Sequence, residues 1–173
     1  LSISLAGEVK WRLSSVLDDF WEFKFETEDS KFYTQHDVIQ LEDGRLSMFD
    51  NGITRPGCKG DDQQHRVNHY KGCYSRALIL DMNFETGIVK TNWTFEESSE
   101  RHVSEVGGAV RQSPSGGYYV SYCKYYQKHE SERPTKFFEV SSSGDLISEM
   151  VIPSPNASWA AGSYRALTKG SVK

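Results

Sequence analysis

Residues 35–52 read QHDVIQLEDGRLSMFDNG, and the fold class turns on how they pair. Residues 37–41 and 45–50 are short strand-like runs joined across Asp43-Gly44. Asp-Gly between two such runs is a strong local signal for a β-hairpin, because the turn needs positive φ. Hairpin pairing alone does not call for His36 at the mouth or for Asp50-Asn51-Gly52 at the exit.

On either side of this hairpin the same punctuation recurs. EVKWRL, RALILDM, GIVKTNWTF, GAVRQS, GYYVSYC, KFFEVS and LISEMVI are apolar, β-branched or aromatic runs, nearly all bounded by Gly, Asp, Asn or Ser. Helical periodicity is nearly absent; SSVLDDFW reads as a loop or short turn. The chain is therefore expected to be all-β and built of hairpins. Gly44 and Gly116 mark equivalent inner hairpins, and Gly7, Gly87 and Gly144 equivalent outer ones. Taken in order they give an outer strand pair, two complete four-stranded units and the first strand of another. Consecutive four-stranded antiparallel units suggest β-propeller blades. One blade is expected over residues 35–95, with a long insert at 53–74, and the next over 107–152, so that 1–173 is part of one propeller domain. A β-sandwich is the alternative arrangement.

Composition narrows the function classes. With 20 Lys+Arg against 24 Asp+Glu the formal charge is -4, so no cationic field exists for a phosphate backbone, and nucleic acid is not an expected partner. No apolar run approaches the roughly 20 residues of a membrane helix. No signal-peptide pattern opens the chain, yet LSISLAGEVKWRL begins directly in strand-like sequence, and SWAAGSYRALT adds another such run near the end. Both ends suggest a piece of a longer protein.

The run QHDVIQLEDGRLSMFDNG, then Arg55, then YSRALILDMNFETGIVKTNWTF, resembles the arylsulfotransferase family. These enzymes use a sulfate donor and no nucleotide cofactor. Members have a Gln-His pair opening a strand, a Phe-Asp-Asn-Gly run closing the hairpin, a Ser-Arg strand, and a Thr-Gly turn leading to a Trp strand. The resemblance covers about residues 3–167 in pattern, and its specific part is 35–95. It implies a six-bladed propeller whose N-terminal blades lie outside this sequence, acting on aryl sulfates and phenols without cofactor or metal.

Sulfuryl transfer develops charge on three equatorial oxygens in a loose, in-line transition state, much as phosphoryl transfer does. Cationic and proton-donating side chains stabilise it, and a nucleophilic histidine can divide the exchange into two steps. By resemblance His36 is the active-site histidine, Arg55 the arginine beyond the Phe-Asp-Asn-Gly run, and Arg76 and Asn51 substrate contacts. A bland reading stands beside each: His36 can bond a strand end, and the arginines can pair with acids such as Asp50. Bacterial members carry their sulfated histidine in the following blade, corresponding to residues 106–126, which contain no histidine. His102 and His129 flank that stretch in charged runs that read as solvated loops. Four consequences stay open: another nucleophile, His36 itself, direct transfer, or a propeller kept only for binding.

Cys58 and Cys73 bracket the insert and, with the sequons at Asn92 and Asn156, suit a disulfide in an oxidising, secretory compartment. A zinc site of Cys58, His65, His69 and Cys73 is the rival, although its spacing fits no common finger. Cys123 reads as an inert core thiol. Tyr118, Tyr119, Tyr122, Tyr125 and Tyr126 form a dense cluster that either packs in the core or lines a phenol channel.

Overall fold

The computed structural model describes residues 2–16, 22–58, 72–97, 103–104, 106–123, 125–126 and 134–153. The described residues are all-β apart from a single 3-10 turn at Glu28–Ser30. In chain order the strands are β1 (Ser2–Ile3), β2 (Val9–Trp11), β3 (Lys24–Phe25), β4 (Gln35–Gln40), β5 (Leu46–Asp50), β6 (Arg76–Asn83) and β7 (Ile88–Phe95). There follow β8 (Val103–Ser104), β9 (Ala109–Gln112), β10 (Tyr118–Tyr122), β11 (Tyr125–Tyr126), β12 (Thr135–Val140) and β13 (Leu146–Ile152).

Strands β4 to β7 pair with their sequence neighbours in an antiparallel meander, and β9, β10, β12 and β13 form a second one. Antiparallel four-stranded units are consistent with part of a propeller. Local turns set both registers. Gly44, Gly116 and Gly144 each donate N–H to the carbonyl three residues back, at Leu41, Ser113 and Ser141. The N–H groups of those same three residues bond to the carbonyls of Arg45, Gly117 and Asp145. One turn is thus used three times, and the glycine in each carries the positive φ that the turn needs. β1 and β2 make a separate hairpin, and β8 pairs with β11.

One pairing departs from the expected run of hairpins: β3 joins the outer edge of β7 in parallel. Lys24 N–H bonds Gly87 O at 2.7 Å and Glu26 N–H bonds Val89 O at 2.8 Å. A Cβ at Gly87 would lie 2.7 Å from Glu22 O, so the glycine admits the crossing segment.

The first sheet is covered on both faces. One face gives Phe49, Ala77, Ile79, Trp93 and Phe95 to a core shared with Val110, Tyr118, Val120, Tyr122, Phe138 and Val140 of the second sheet. The other face gives Leu46, Met48, Leu78, Leu80 and Val89 to a core with Phe23 and Phe32, and Trp11, Leu13 and Phe25 pack against it. This explains why every residue of β5 is buried, whereas β7 alternates. Each fully buried large side chain contributes about 1.5–3 kcal/mol, so sheet-on-sheet packing outweighs any single polar contact in stability. Of the tyrosine cluster, Tyr118 and Tyr122 belong to the core: Tyr118 lies 4.3 Å from Trp93 and Tyr122 lies 4.8 Å from Phe49, ring to ring. Tyr119 faces the opposite side of the second sheet, beside Phe137 and Met150.

Candidate functional site

The start of β4, the end of β5 and the start of β6 meet at one end of the first sheet. Pairing puts Gln35 opposite Asp50, His36 opposite Phe49, and Asp50 opposite Arg76. The β4–β5 register slips between His36 and Ile39, where Asp37 and Val38 on β4 stand opposite the single residue Met48 on β5, so one residue bulges. Thr34 (φ 61) and Asp37 (φ 56) are the positive-φ non-glycine residues among those described, and they flank Gln35-His36. Each such conformation costs on the order of 1–3 kcal/mol and persists only where the surroundings impose it.

Those surroundings are visible. Arg111 on β9 grips the Asp37 carboxylate through both terminal nitrogens, Nη2 to Oδ1 at 2.9 Å and Nη1 to Oδ2. The Asp37 side chain is 3% exposed, so this is a buried bidentate pair joining the two sheets. Neither residue was among the sequence candidates. An Arg in the next strand unit cannot be matched to an Asp 74 residues earlier without the topology.

His36 is half-buried, and its Nδ1 lies 2.7 Å from Asn51 Oδ1. Asn51 is completely buried, and its amide nitrogen donates to Ser104 O at 2.7 Å and Gly107 O at 2.9 Å. Its own backbone carbonyl accepts from Ser75 Oγ at 2.7 Å. Both ends of its side-chain amide are thus engaged inside the protein.

Asp50 is the second hub. Its Oδ1 accepts from Tyr33 N–H at 2.7 Å, and its Oδ2 from Arg55 Nη2 at 2.5 Å and Arg76 Nε at 3.2 Å. Arg76 Nη2 also donates to the carbonyls of Asp29 and Lys31. The Arg55 guanidinium sits 4.0 Å from the Tyr74 ring centre and 5.1 Å from that of Tyr33. Burial, and next the Glu28 charge, push the Tyr33 phenol above its ordinary pKa, so the ring stays neutral beneath the cation. Both arginines thus take up the pairing with Asp50 that stood as their bland reading. Arg55 Nε is buried without a hydrogen-bond partner among the described residues.

Gly52 completes the motif. At φ 69 it donates N–H to Tyr33 O at 2.7 Å, and a Cβ there would fall 2.1 Å from Tyr74 O. The three residues of Asp50-Asn51-Gly52 therefore divide the work: Asp50 gathers the charges, Asn51 holds the histidine and Gly52 makes the tight turn. At this end of the sheet the structure joins His36 to Asn51, and Arg55 to Arg76 through Asp50.

Cys58 and Cys73 are joined in a disulfide with Cα atoms 4.5 Å apart, which ties the base of the insert beside Tyr74. Sulfurs so joined are not zinc ligands, and His65 and His69 lie outside the described residues. His102, His129 and Asn156 lie outside them as well. Cys123 is buried and takes no part in a disulfide, and burial raises the pKa of its thiol. Asn92 is exposed on β7 and is bonded by Arg45 Nη1 at 2.8 Å.

Among curated proteins none matches the chain at a significant level. The family profile described as Arylsulfotransferase (ASST) matches residues 2–165, nearly the whole sequence. That span includes both sheets and every member of the Asp50-Asn51-Gly52 cluster. The chain belongs to the arylsulfotransferase family.

Proposed function

We propose that this chain is the His36-bearing part of a secreted, nucleotide-independent aryl-sulfate sulfotransferase, in which His36 Nε2 accepts the sulfuryl group. The observation that carries this is the 2.7 Å contact between His36 Nδ1 and the buried Asn51 side-chain carbonyl, at the end of the sheet where the family's motifs cluster. In the first step Nε2 forms a bond to sulfur as the S–O bond to the aryl group breaks, and the phenolate leaves to take a proton from solvent. In the second step an acceptor phenol loses its proton, its oxygen bonds to sulfur, and the N–S bond breaks. Arg55 and Arg76, which meet at Asp50 at the same end of the sheet, are cations of the kind that an anionic donor requires. The two packed sheets are read as consecutive blades, with β4 and β9 as inner strands; the Asp37–Arg111 pair between them supports that arrangement. The Cys58–Cys73 disulfide supports an oxidising compartment.

The test is to incubate full-length protein with 4-nitrophenyl sulfate alone and map the peptides by mass spectrometry. A sulfated His36 peptide that is discharged by added phenol supports the two-step reading. Turnover without any sulfated histidine, or turnover that needs a nucleotide sulfate donor, contradicts it.

A second reading, a propeller kept for binding, is favoured by one specific observation: Asp50 engages both Arg55 and Arg76. Residues 106–126, moreover, offer no histidine. Full-length protein that binds aryl sulfates without cleaving them is the result that this reading expects.

A further inference from the structure

We propose that Asn51 is a positioning residue that selects the reactive tautomer of His36; this rests on the reading of His36 as the sulfuryl acceptor. The amide of Asn51 has one orientation that its surroundings accept. Its nitrogen faces two backbone carbonyls, Ser104 O at 2.7 Å and Gly107 O at 2.9 Å. Exchanging nitrogen and oxygen would press a carbonyl oxygen against two others in a fully buried place. Oδ1 is thereby aimed at His36 Nδ1, 2.7 Å away.

A carbonyl oxygen only accepts, so the hydrogen of that bond belongs to Nδ1. A neutral imidazole has one N–H, and Nε2 then carries the lone pair. In water the neutral histidine side chain favours the opposite form, with hydrogen on Nε2, which cannot attack sulfur through that atom. Attack by Nε2 also places positive charge on the ring, and the Nδ1–H bond to a preorganised carbonyl stabilises it as it develops. A neutral amide partner does this without leaving a buried carboxylate when the ring is neutral.

Asn51 is in turn held by chain from the other side of the site. Ser104 ends β8, Gly107 precedes β9, and Ser75 Oγ accepts from Ser104 N–H at 2.8 Å while donating to Asn51 O. A Cβ on Gly108 would lie 2.2 Å from the Phe49 ring, so that glycine lets Gly107 and Gly108 approach closely enough for Asn51 to reach Gly107 O. The histidine's chemistry is therefore set by a segment more than 50 residues later, through one side chain.

Full-length protein labelled with 15N-histidine reads the tautomer directly, with the His36 signals assigned by their loss in His36→Gln. At a pH where the ring is neutral, the expected spectrum shows protonated Nδ1 and unprotonated Nε2. The reverse pattern overturns the proposal. Steady-state kinetics give the second arm: Asn51→Leu should lower kcat by about 10²-fold or more with KM within about threefold, the signature of a lost tautomer rather than lost binding. Folded Asn51→Leu protein with full kcat, where His36→Ala abolishes turnover, overturns the role of Asn51 alone. Unchanged kcat in His36→Ala instead removes His36 as acceptor, while the spectrum still decides the tautomer. If Asn51→Leu does not fold, the wild-type spectrum decides by itself.

Discussion

Replacing Asp50 by Asn changes one oxygen to nitrogen in a completely buried side chain, and the structure says where the cost falls. The remaining oxygen can keep the Tyr33 N–H bond, but the new amide N–H groups face Arg55 Nη2 and Arg76 Nε, which are donors too. Two guanidiniums, with side chains 10% and 4% exposed, are left without their counter-charge. Removing one partner of a buried ion pair costs about 3–5 kcal/mol. For a unit of about 150–250 residues each kcal/mol lowers Tm by about 2–4 °C, and by less in a longer protein, so Asp50→Asn should lower the Tm of the full-length protein by at least several degrees. Thermal unfolding followed by circular dichroism measures this. Adding Arg76→Met to Asp50→Asn should recover part of the loss, because it removes one of the stranded charges, and the coupling should exceed about 1 kcal/mol in a double-mutant cycle. A Tm within about 2 °C of wild type for Asp50→Asn would refute the view that Asp50 is the charge hub.

Gly52→Ala puts a Cβ 2.1 Å from Tyr74 O at φ 69 and should destabilise the protein enough to be seen as a lower urea midpoint; an unchanged midpoint would mean that the turn is not so constrained. Reducing the Cys58–Cys73 bond, which spans 15 residues, should cost about 3 kcal/mol in the same assay, and non-reducing peptide mapping should find the two cysteines linked. Burial raises the Cys123 pKa, so the neutral thiol persists to higher pH than an exposed one; iodoacetamide at about pH 8 should label it only after denaturation, and rapid labelling of native protein would contradict its burial. Protein secreted from a eukaryotic host should lose mass on N-glycanase treatment through Asn92, which is exposed on β7, and Asn92→Gln should abolish that shift if Asn156 is unused.

What the sequence made legible was local. Asp43-Gly44 announced its hairpin because a turn that needs positive φ leaves its mark in adjacent residues, and the turns at Gly116 and Gly144 repeat it with the same hydrogen bonds. The end of the sheet where the candidate residues gather was legible for the same reason, since His36, Asn51, Arg55 and Arg76 lie within a few residues of strand ends. Their partners were not. Asn51 is held by carbonyls 53 and 56 residues away, and Arg111 meets Asp37 across 74 residues. Contacts of that range follow from sheet-on-sheet packing and have no sequence period. The positive φ of Thr34 and Asp37 was hidden too, because neither position carries a glycine to advertise it. The parallel strand β3 escaped as well: two residues pairing with a distant edge give no alternation to read.

Whether His36 performs sulfuryl transfer is decided by the rate at which full-length His36→Ala protein moves sulfate from 4-nitrophenyl sulfate to a phenol, with no nucleotide present. With His36 as the acceptor, kcat should fall below that of wild type by about 10²-fold or more, with the fold intact by circular dichroism. A folded His36→Ala protein that turns over at the wild-type rate would contradict that role.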